Sequence, residues 1–235
     1  MEQRPHGEWR VRRGDQGRGA ALAWVLASAI VAAFATVLLH ATPAAAPAAD
    51  LFDEIYARSR GIETSLKTVT ARFTETTTSS LLSRPLVAKG TLAVERPSRI
   101  VLRYADPEVR TVLIDRNKLT LDWPSRAVHQ QTDIASAQQR IEKYFLDKSP
   151  DELRRNFSIT AVEATDRAGT WRITMVPSRK QIQQGLTRLE LWIDRTSMLL
   201  SAMRMTFPNA DTKLMVFENV VVNVPIDPKV FSTGQ

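Results

Sequence analysis

No stretch restricts this chain more than Gly90-Thr-Leu-Ala-Val-Glu-Arg-Pro-Ser-Arg-Ile-Val-Leu-Arg-Tyr104, which reads as two strands broken at Arg96-Pro97-Ser98. A strand repeats every two residues, so Leu92, Val94 and Arg96 share one face and Thr91, Ala93 and Glu95 the other. After the break, Ile100, Leu102 and Tyr104 take the apolar face, and Arg99, Val101 and Arg103 the opposite one. Pro97 has no N–H to give to a ladder and belongs at a strand end or turn. Arg96 is the exception, a guanidinium beside Leu92 and Val94. Such a group is costly on an apolar face unless acceptors meet it. Two readings stay open: a strand-end arginine whose head reaches water over a buried stem, or a latch that holds a movable element over an apolar surface.

The rest of the chain reads as short strands with two helical interruptions. Residues 50–67 place Leu51, Ile55 and Leu66, with Phe52, Tyr56 and Ile62 nearby, at helical spacing; Asp50 suits the N-cap, and Asp53 and Glu54 suit the first turn. Residues 68–78 are β-rich, and a polar loop over 79–85 leads to the central stretch. Strands follow over 111–115, 118–123 and 126–131, with Asn117 as the expected left-handed residue at the first turn. The period then changes. Ile134, Ala137, Ile141, Tyr144 and Phe145 recur at threes and fours, predicting a helix over 133–147 capped by Thr132 or Asp133, and Ser149-Pro150-Asp-Glu152 opens a second short one. Strands resume over 156–164, 170–176, 186–194, 199–207 and 211–223. Leu189, Leu191 and Ile193 share a face, and Met203, Met205 and Phe207 follow across the Arg195-Thr-Ser turn.

The N-terminus has the three parts of a secretory signal: Arg10, Arg12, Arg13 and Arg18, then an uncharged run over 20–39, then small residues and proline ending in Ala46-Pro47-Ala48. Residues 1–49 are therefore expected to be a signal peptide cleaved after Ala48 or Ala49, and 50–235 a single exported domain. The apolar run is also about long enough to span a bilayer, so a retained inner-membrane anchor is the alternative. Arg12-Arg13 lacks the apolar residue that a twin-arginine signal wants next.

Composition excludes more than it suggests. The chain has 235 residues and no cysteine, so disulfide and thiolate chemistry are ruled out. Its net charge is +7, but bases alternate with acids, as in Asp194-Arg195 and Asp106-Pro107-Glu108-Val109-Arg110. That is the pattern of a solvated surface rather than a nucleic-acid stripe, while attraction to an anionic membrane remains open. His129 is the sole histidine of the exported part and has no partner at metal spacing. There is no Gly-x-Ser-x-Gly elbow and no phosphate-cradling loop. No catalytic residue, metal or cofactor is expected, and the chain does not read as an enzyme. Met175, Met203, Met205 and Met215 instead lie in strands where Val or Ile would be usual. Unbranched thioethers suit either ordinary core filling or a wall that adapts to greasy ligands.

Gly-x-Leu-x-Val-x-Arg-Pro, followed by an alternating strand ending at Tyr104, resembles the signature of the LolA family of outer-membrane lipoprotein carriers. Ala71-Arg72-Phe73 and the closing 219–231 segment ending in Phe231 are similar to other parts of its pattern. The resemblance implies a mainly β (α+β) fold: an open, incomplete antiparallel barrel of about eleven strands with helices across its concave face. It implies a periplasmic carrier that shields lipoprotein acyl chains between the inner and outer membranes. The lipid-binding wall would be Leu92, Val94, Ile100, Leu102, Tyr104, Leu189, Leu191, Met203, Met205 and Phe207. The lid would be the helix carrying Ile134, Ile141, Tyr144 and Phe145, with Arg96 hydrogen-bonding groups of 134–145 in the empty form. The implied partners are acylated lipoproteins, an ATP-driven (ABC-type) inner-membrane release complex and an outer-membrane acceptor, for a chain expected to be monomeric. The alternatives are a lipid- or lipoprotein-sensing regulator, anchored or soluble, and a carrier of a different lipid.

Overall fold

The computed structural model describes residues 50–145 and 148–233. The expected signal segment lies outside the described residues. Within them, no helix is long and apolar enough to cross a membrane.

Helix α1 (Leu51–Glu63) is followed by β1 (Thr68–Thr78), β2 (Leu86–Glu95), β3 (Arg99–Asp106), β4 (Arg110–Asp115), β5 (Lys118–Trp123) and β6 (Val128–Asp133). Helices α2 (Ala135–Tyr144) and α3 (Pro150–Asn156) precede β7 (Phe157–Glu163) and β8 (Thr170–Pro177). A single helical turn, α4 (Lys180–Gln183), leads to β9 (Arg188–Asp194), β10 (Leu200–Thr206) and β11 (Thr212–Val222). All eleven strands form one antiparallel sheet in the order β6-β5-β4-β3-β2-β1-β11-β10-β9-β8-β7. The first and last strands pair at its centre, and the two edges, β6 and β7, are neighbours in sequence. The segment joining those edges, with α2 and α3, therefore spans the open side. The fold is the incomplete antiparallel barrel with helices that the resemblance implied.

Alternation sets the curvature and the two faces. Ala71, Phe73 and Glu75 of β1, Leu92 and Val94 of β2, and Ile100, Leu102 and Tyr104 of β3 are buried on the concave side. Leu189, Leu191, Ile193, Met203, Met205 and Met215 complete the same core. Register shifts at Thr70/Arg72, Lys89/Gly90 and Leu200/Ala202 insert the irregularities that bend a sheet. The convex face is not wholly wet. Ala93, Val101 and Leu113 are covered by Phe231 of the terminal 3-10 turn Pro228–Phe231. Arg103 holds that turn through the carbonyls of Val230 (3.0 Å) and Ser232 (2.6 Å). The closing phenylalanine thus seals the outer face of the strands it follows by more than a hundred residues.

Two helices begin at their predicted caps, whereas α2 has its N-cap at Ile134, without a side-chain cap bond, rather than at Thr132 or Asp133. The Asp50 side chain accepts from the Phe52 N–H, and Ser149 and Glu152 form a reciprocal capping box on α3. Asp133 accepts from the Ala135 N–H, one position earlier than an N-cap on Ile134. The left-handed residue of the β4–β5 turn is Arg116 (φ 51°) rather than Asn117. Asn117 instead offers its carbonyl to the Ile134 N–H, and Arg116 offers its own to the Gln138 side chain (2.6 Å). Those bonds fasten the start of α2 to the sheet.

Candidate functional site

The C-terminal half of α1 does not pack flush on the sheet. Ser59, Ile62, Glu63 and Leu66 form one side of a cleft, and the concave face forms the other. The sheet side comprises Val69 and Ala71 of β1, Leu92 and Val94 of β2, Phe217 and Val220 of β11, and Ile193 with the 198–200 turn. The accessible space is about 100 Å³, well short of the roughly 300–1,000 Å³ of a pocket that encloses a drug-sized molecule. The lining is almost entirely aliphatic and aromatic. Leu92 and Val94 of the expected lipid wall line it directly. Ile100, Leu102, Tyr104, Leu189, Leu191, Met203 and Met205 are buried deeper in the same continuous core, with Phe207 packed at its margin.

Arg96 lies at the end of β2 beside this cleft. Its Nη1 donates to the carbonyls of Glu63 (2.7 Å) and Leu66 (3.3 Å), and its backbone N–H donates to the Lys67 carbonyl (2.9 Å). The last carbonyls of a helix have no partner inside it, and the helix dipole makes them attractive to a cation. This corrects the partner implied by the resemblance. Arg96 fastens the end of α1, not 134–145. The reason is topological: β2 pairs with β1, whose first residues are joined directly to α1, whereas α2 is tied to the β4–β5 turn.

The expected lid residues are also in the core. Ile134 and Ile141 of the α2 region are buried, and Tyr144 and Phe145 pack against the core from its margin. Phe145 meets Phe157 at 4.8 Å between ring centroids. The helical roof is bound together by ion pairs and a hydrogen bond: Arg154 of α3 bridges to Asp53 of α1 (2.8 Å) and to its N-cap Asp50 (3.1 Å), and the Tyr56 hydroxyl donates to the Lys148 carbonyl.

The far end of the concave face holds a group that the sequence reading missed. Glu75, Arg110 and Lys213 are all buried there. The Glu75 carboxylate accepts from the Tyr104 hydroxyl (2.8 Å) and the Lys213 ammonium (3.1 Å), with Arg110 at 3.8 Å. The Arg110 guanidinium stacks 3.8 Å from the centre of the Tyr104 ring, and Phe73 meets that ring edge-on. Burial, and then the neighbouring Glu75 carboxylate, push the Tyr104 hydroxyl pKa well up. Burial pulls the Lys213 pKa down against the opposing pull of Glu75. The alternation 106–110 had placed Arg110 on a solvated surface; its true face is shared with Val112 and Ile114. The signal was available, because Glu75 follows Ala71 and Phe73, and Lys213 precedes Met215 and Phe217, at steps of two.

His129 is exposed on the edge strand β6, with Asp122 across the pair at 3.4 Å. Among the described residues, no three His, Cys, Asp or Glu side chains are grouped to hold a metal.

An open half-barrel with a helix-roofed, apolar interior and a small cleft at one end is the class that this fold and site define. The chain belongs to the LolA family: the family of the outer membrane lipoprotein carrier protein LolA matches residues 64–233. Solved structures of similar shape include an uncharacterized conserved protein from Thermus thermophilus, with 10% identity, 77% of this chain and 93% of the other covered, and a TM-score of 0.48. The Pseudomonas aeruginosa MucA/MucB complex contains a chain with 15% identity, 77% and 61% coverage, and a TM-score of 0.46. The Mycobacterium tuberculosis lipoprotein LppX gives 11%, 74% and 97%, and 0.44. Comparison with curated proteins returned no significant match.

Proposed function

We propose that this protein is a periplasmic carrier that hides lipoprotein acyl chains in its half-barrel and moves them from the inner to the outer membrane. The observation that carries this reading is the apolar cleft beneath the end of α1, an end that Arg96 fastens to β2. In this reading residues 1–49 direct export and are removed, and 50–235 are the working domain. An ATP-driven inner-membrane complex loads it, and an outer-membrane acceptor unloads it. The walls of the compartment are Leu92, Val94, Ile100, Leu102, Leu189, Leu191, Met203, Met205 and Phe207.

The physical task sets the design. Each methylene exposed to water costs about 0.8 kcal/mol, so an acyl anchor needs a cover to cross an aqueous space. A space of about 100 Å³ is too small for such a chain, so loading must lift the end of α1 and spread the methionine-rich wall behind it. Lifting breaks the two Arg96 bonds, while acyl burial offsets that loss. Opening and binding are then one coupled equilibrium, and the same bonds favour release. A hydrogen bond from a charged donor contributes about 1.5–3 kcal/mol. Arg96→Leu should therefore hold cargo more tightly by about tenfold or more and deliver it more slowly.

The test is native mass spectrometry of the protein isolated gently from periplasm, with its N-terminus mapped, beside transfer assays on Arg96→Leu. A start near Ala49 with co-purifying acylated lipoprotein is the expected result. A cleaved, empty protein that also refuses acylated peptide overturns the carrier reading, and a variant that transfers at the wild-type rate overturns the latch. A retained 20–39 segment would turn the assignment to an anchored sensor, because a shuttle has to diffuse.

A further inference from the structure

The end of the sheet remote from the cleft is unusually greasy. Leu81 is 88% exposed and Leu82 41%, at the tip of the β1–β2 hairpin; Leu86 (46%), Val87 (43%) and Val109 (62%) lie close by. Register puts them together. Thr77 pairs with Leu86, and Lys89 with Asp106, so the β1–β2 loop and the β3–β4 turn sit side by side. Isolated exposed aliphatics are ordinary, but a cluster that includes two adjacent leucines at a protruding tip marks an interaction surface.

Charge says what kind. From Thr76 to Gly90 there is no acidic residue, while Arg84 and Lys89 are exposed. Thr206 pairs with Arg188 and with Thr212, and Thr212 with Thr78, which brings the β8–β9 connection to the same rim. That connection adds exposed Arg179, Lys180 and Arg188, again without an acid from Ser178 to Leu189. Among acids at this end, Glu108 is taken by Arg126 at 3.2 Å. Asp106, Asp122 and Asp211 remain against those five cations.

We propose that this rim, with Leu81 and Leu82 at its tip, is a docking surface for an anionic lipid bilayer. The leucines enter the boundary between headgroups and acyl chains, and the surrounding cations lie at the level of the phosphates. The tip lies at the opposite end of β1 from the cleft beneath α1. Nine steps along β1 separate Val69 in the cleft from Thr78 at the hairpin, about 30 Å at about 3.3 Å per residue.

The absence of cysteine from the chain makes the test direct. An environment-sensitive fluorophore is attached to the exported domain, residues 50–235, at Leu82→Cys, and in a second sample at Val162→Cys on the edge strand β7. Vesicles of phosphatidylcholine, with and without phosphatidylglycerol, are then titrated in. The expected result is a blue-shifted, brighter emission at position 82 with the anionic vesicles, weak with the neutral ones, lost at high salt, and absent at position 162. Arg84→Gln and Lys89→Gln should each weaken the response about fivefold at low salt. Because the probe reports its own site and no cargo is present, the result is independent of the carrier reading. Emission at position 82 that stays at its solvent value, or that changes equally at position 162, overturns the proposal and leaves the leucines to a protein contact.

Discussion

Glu75 meets partners from three strands, Tyr104 and Lys213 as hydrogen-bond donors and Arg110 as an ion pair at 3.8 Å, and each of them arrives by alternation on the concave face. Taking Lys213 away leaves the carboxylate with Tyr104 and Arg110, whereas taking Glu75 away leaves two buried cations facing one another. Breaking a buried pair costs about 3–5 kcal/mol, mainly through the charge left behind. Glu75→Leu should therefore be more destabilising than Lys213→Met, with the lysine variant at about 3 kcal/mol. Urea denaturation midpoints at fixed slope measure both, and the reverse order would mean that Glu75 is not the hub. Gly90 has a similarly local reason. A Cβ there would run into the Arg103 carbonyl and stand 2.8 Å from the Phe73 ring tip, at the point where β2 and β3 shift register. Gly90→Ala should cost about 2–4 kcal/mol by overpacking and backbone shift. The glycine was visible in the sequence as the head of the signature. Its reason was not, because the neighbour that forbids a side chain belongs to the next strand's backbone.

Elements were legible wherever one period ran long enough. The change from steps of two to steps of three and four at Ile134 marked α2, and Asp50 and Ser149 marked two helix starts. Residues 180–183 form a helical turn too short to show a period. The partner of Arg96 was hidden for a different reason: the Glu63 carbonyl lies 33 residues away, and main-chain acceptors leave no mark on side-chain pattern. The β9–β10 turn supplies a prediction at this scale. Asp194 accepts from the N–H groups of Thr196 (3.1 Å) and Ser197 (2.7 Å) and from the Ser197 hydroxyl, which fixes Met198 in a left-handed conformation (φ 59°) at the wall of the cleft. The Ser197 N–H above all, followed by burial acting the other way, leaves the Asp194 pKa below its usual value. A depressed carboxyl pKa means that the stabilisation is complete above the unfolded pKa of about 4 and is lost as pH falls through the folded value. Asp194→Ala should lower stability by about 1–2 kcal/mol at neutral pH. The gap between the two melting curves should narrow as pH falls below the ordinary carboxyl range, and a gap unchanged with pH would place the effect elsewhere.

For the molecule as a whole, the order of the sheet decides what can move. Edges β6 and β7 are consecutive in sequence, so their connection must cross the open side, and α2 is pinned there by the Asn117 and Arg116 carbonyls. The end of α1 is held more lightly. The Thr64, Ser65 and Leu66 N–H groups bond within the last turn, to the carbonyls of Arg60, Ile62 and Glu63, and Arg96 ties that turn to β2. If cargo enters beneath α1, hydrogen exchange should quicken at 64–67 and at Arg96, whose N–H is bonded to the Lys67 carbonyl, when an acylated peptide is added. The bonds of Ile134 and Gln138 to the β4–β5 turn should keep their protection, as should β3 to β5. Arg96→Leu should show fast exchange at 64–67 even without peptide, because the latch is already gone. Quickened exchange confined to 134–145 would instead make α2 the moving lid, and Arg96 would then be a helix-end contact with no part in opening.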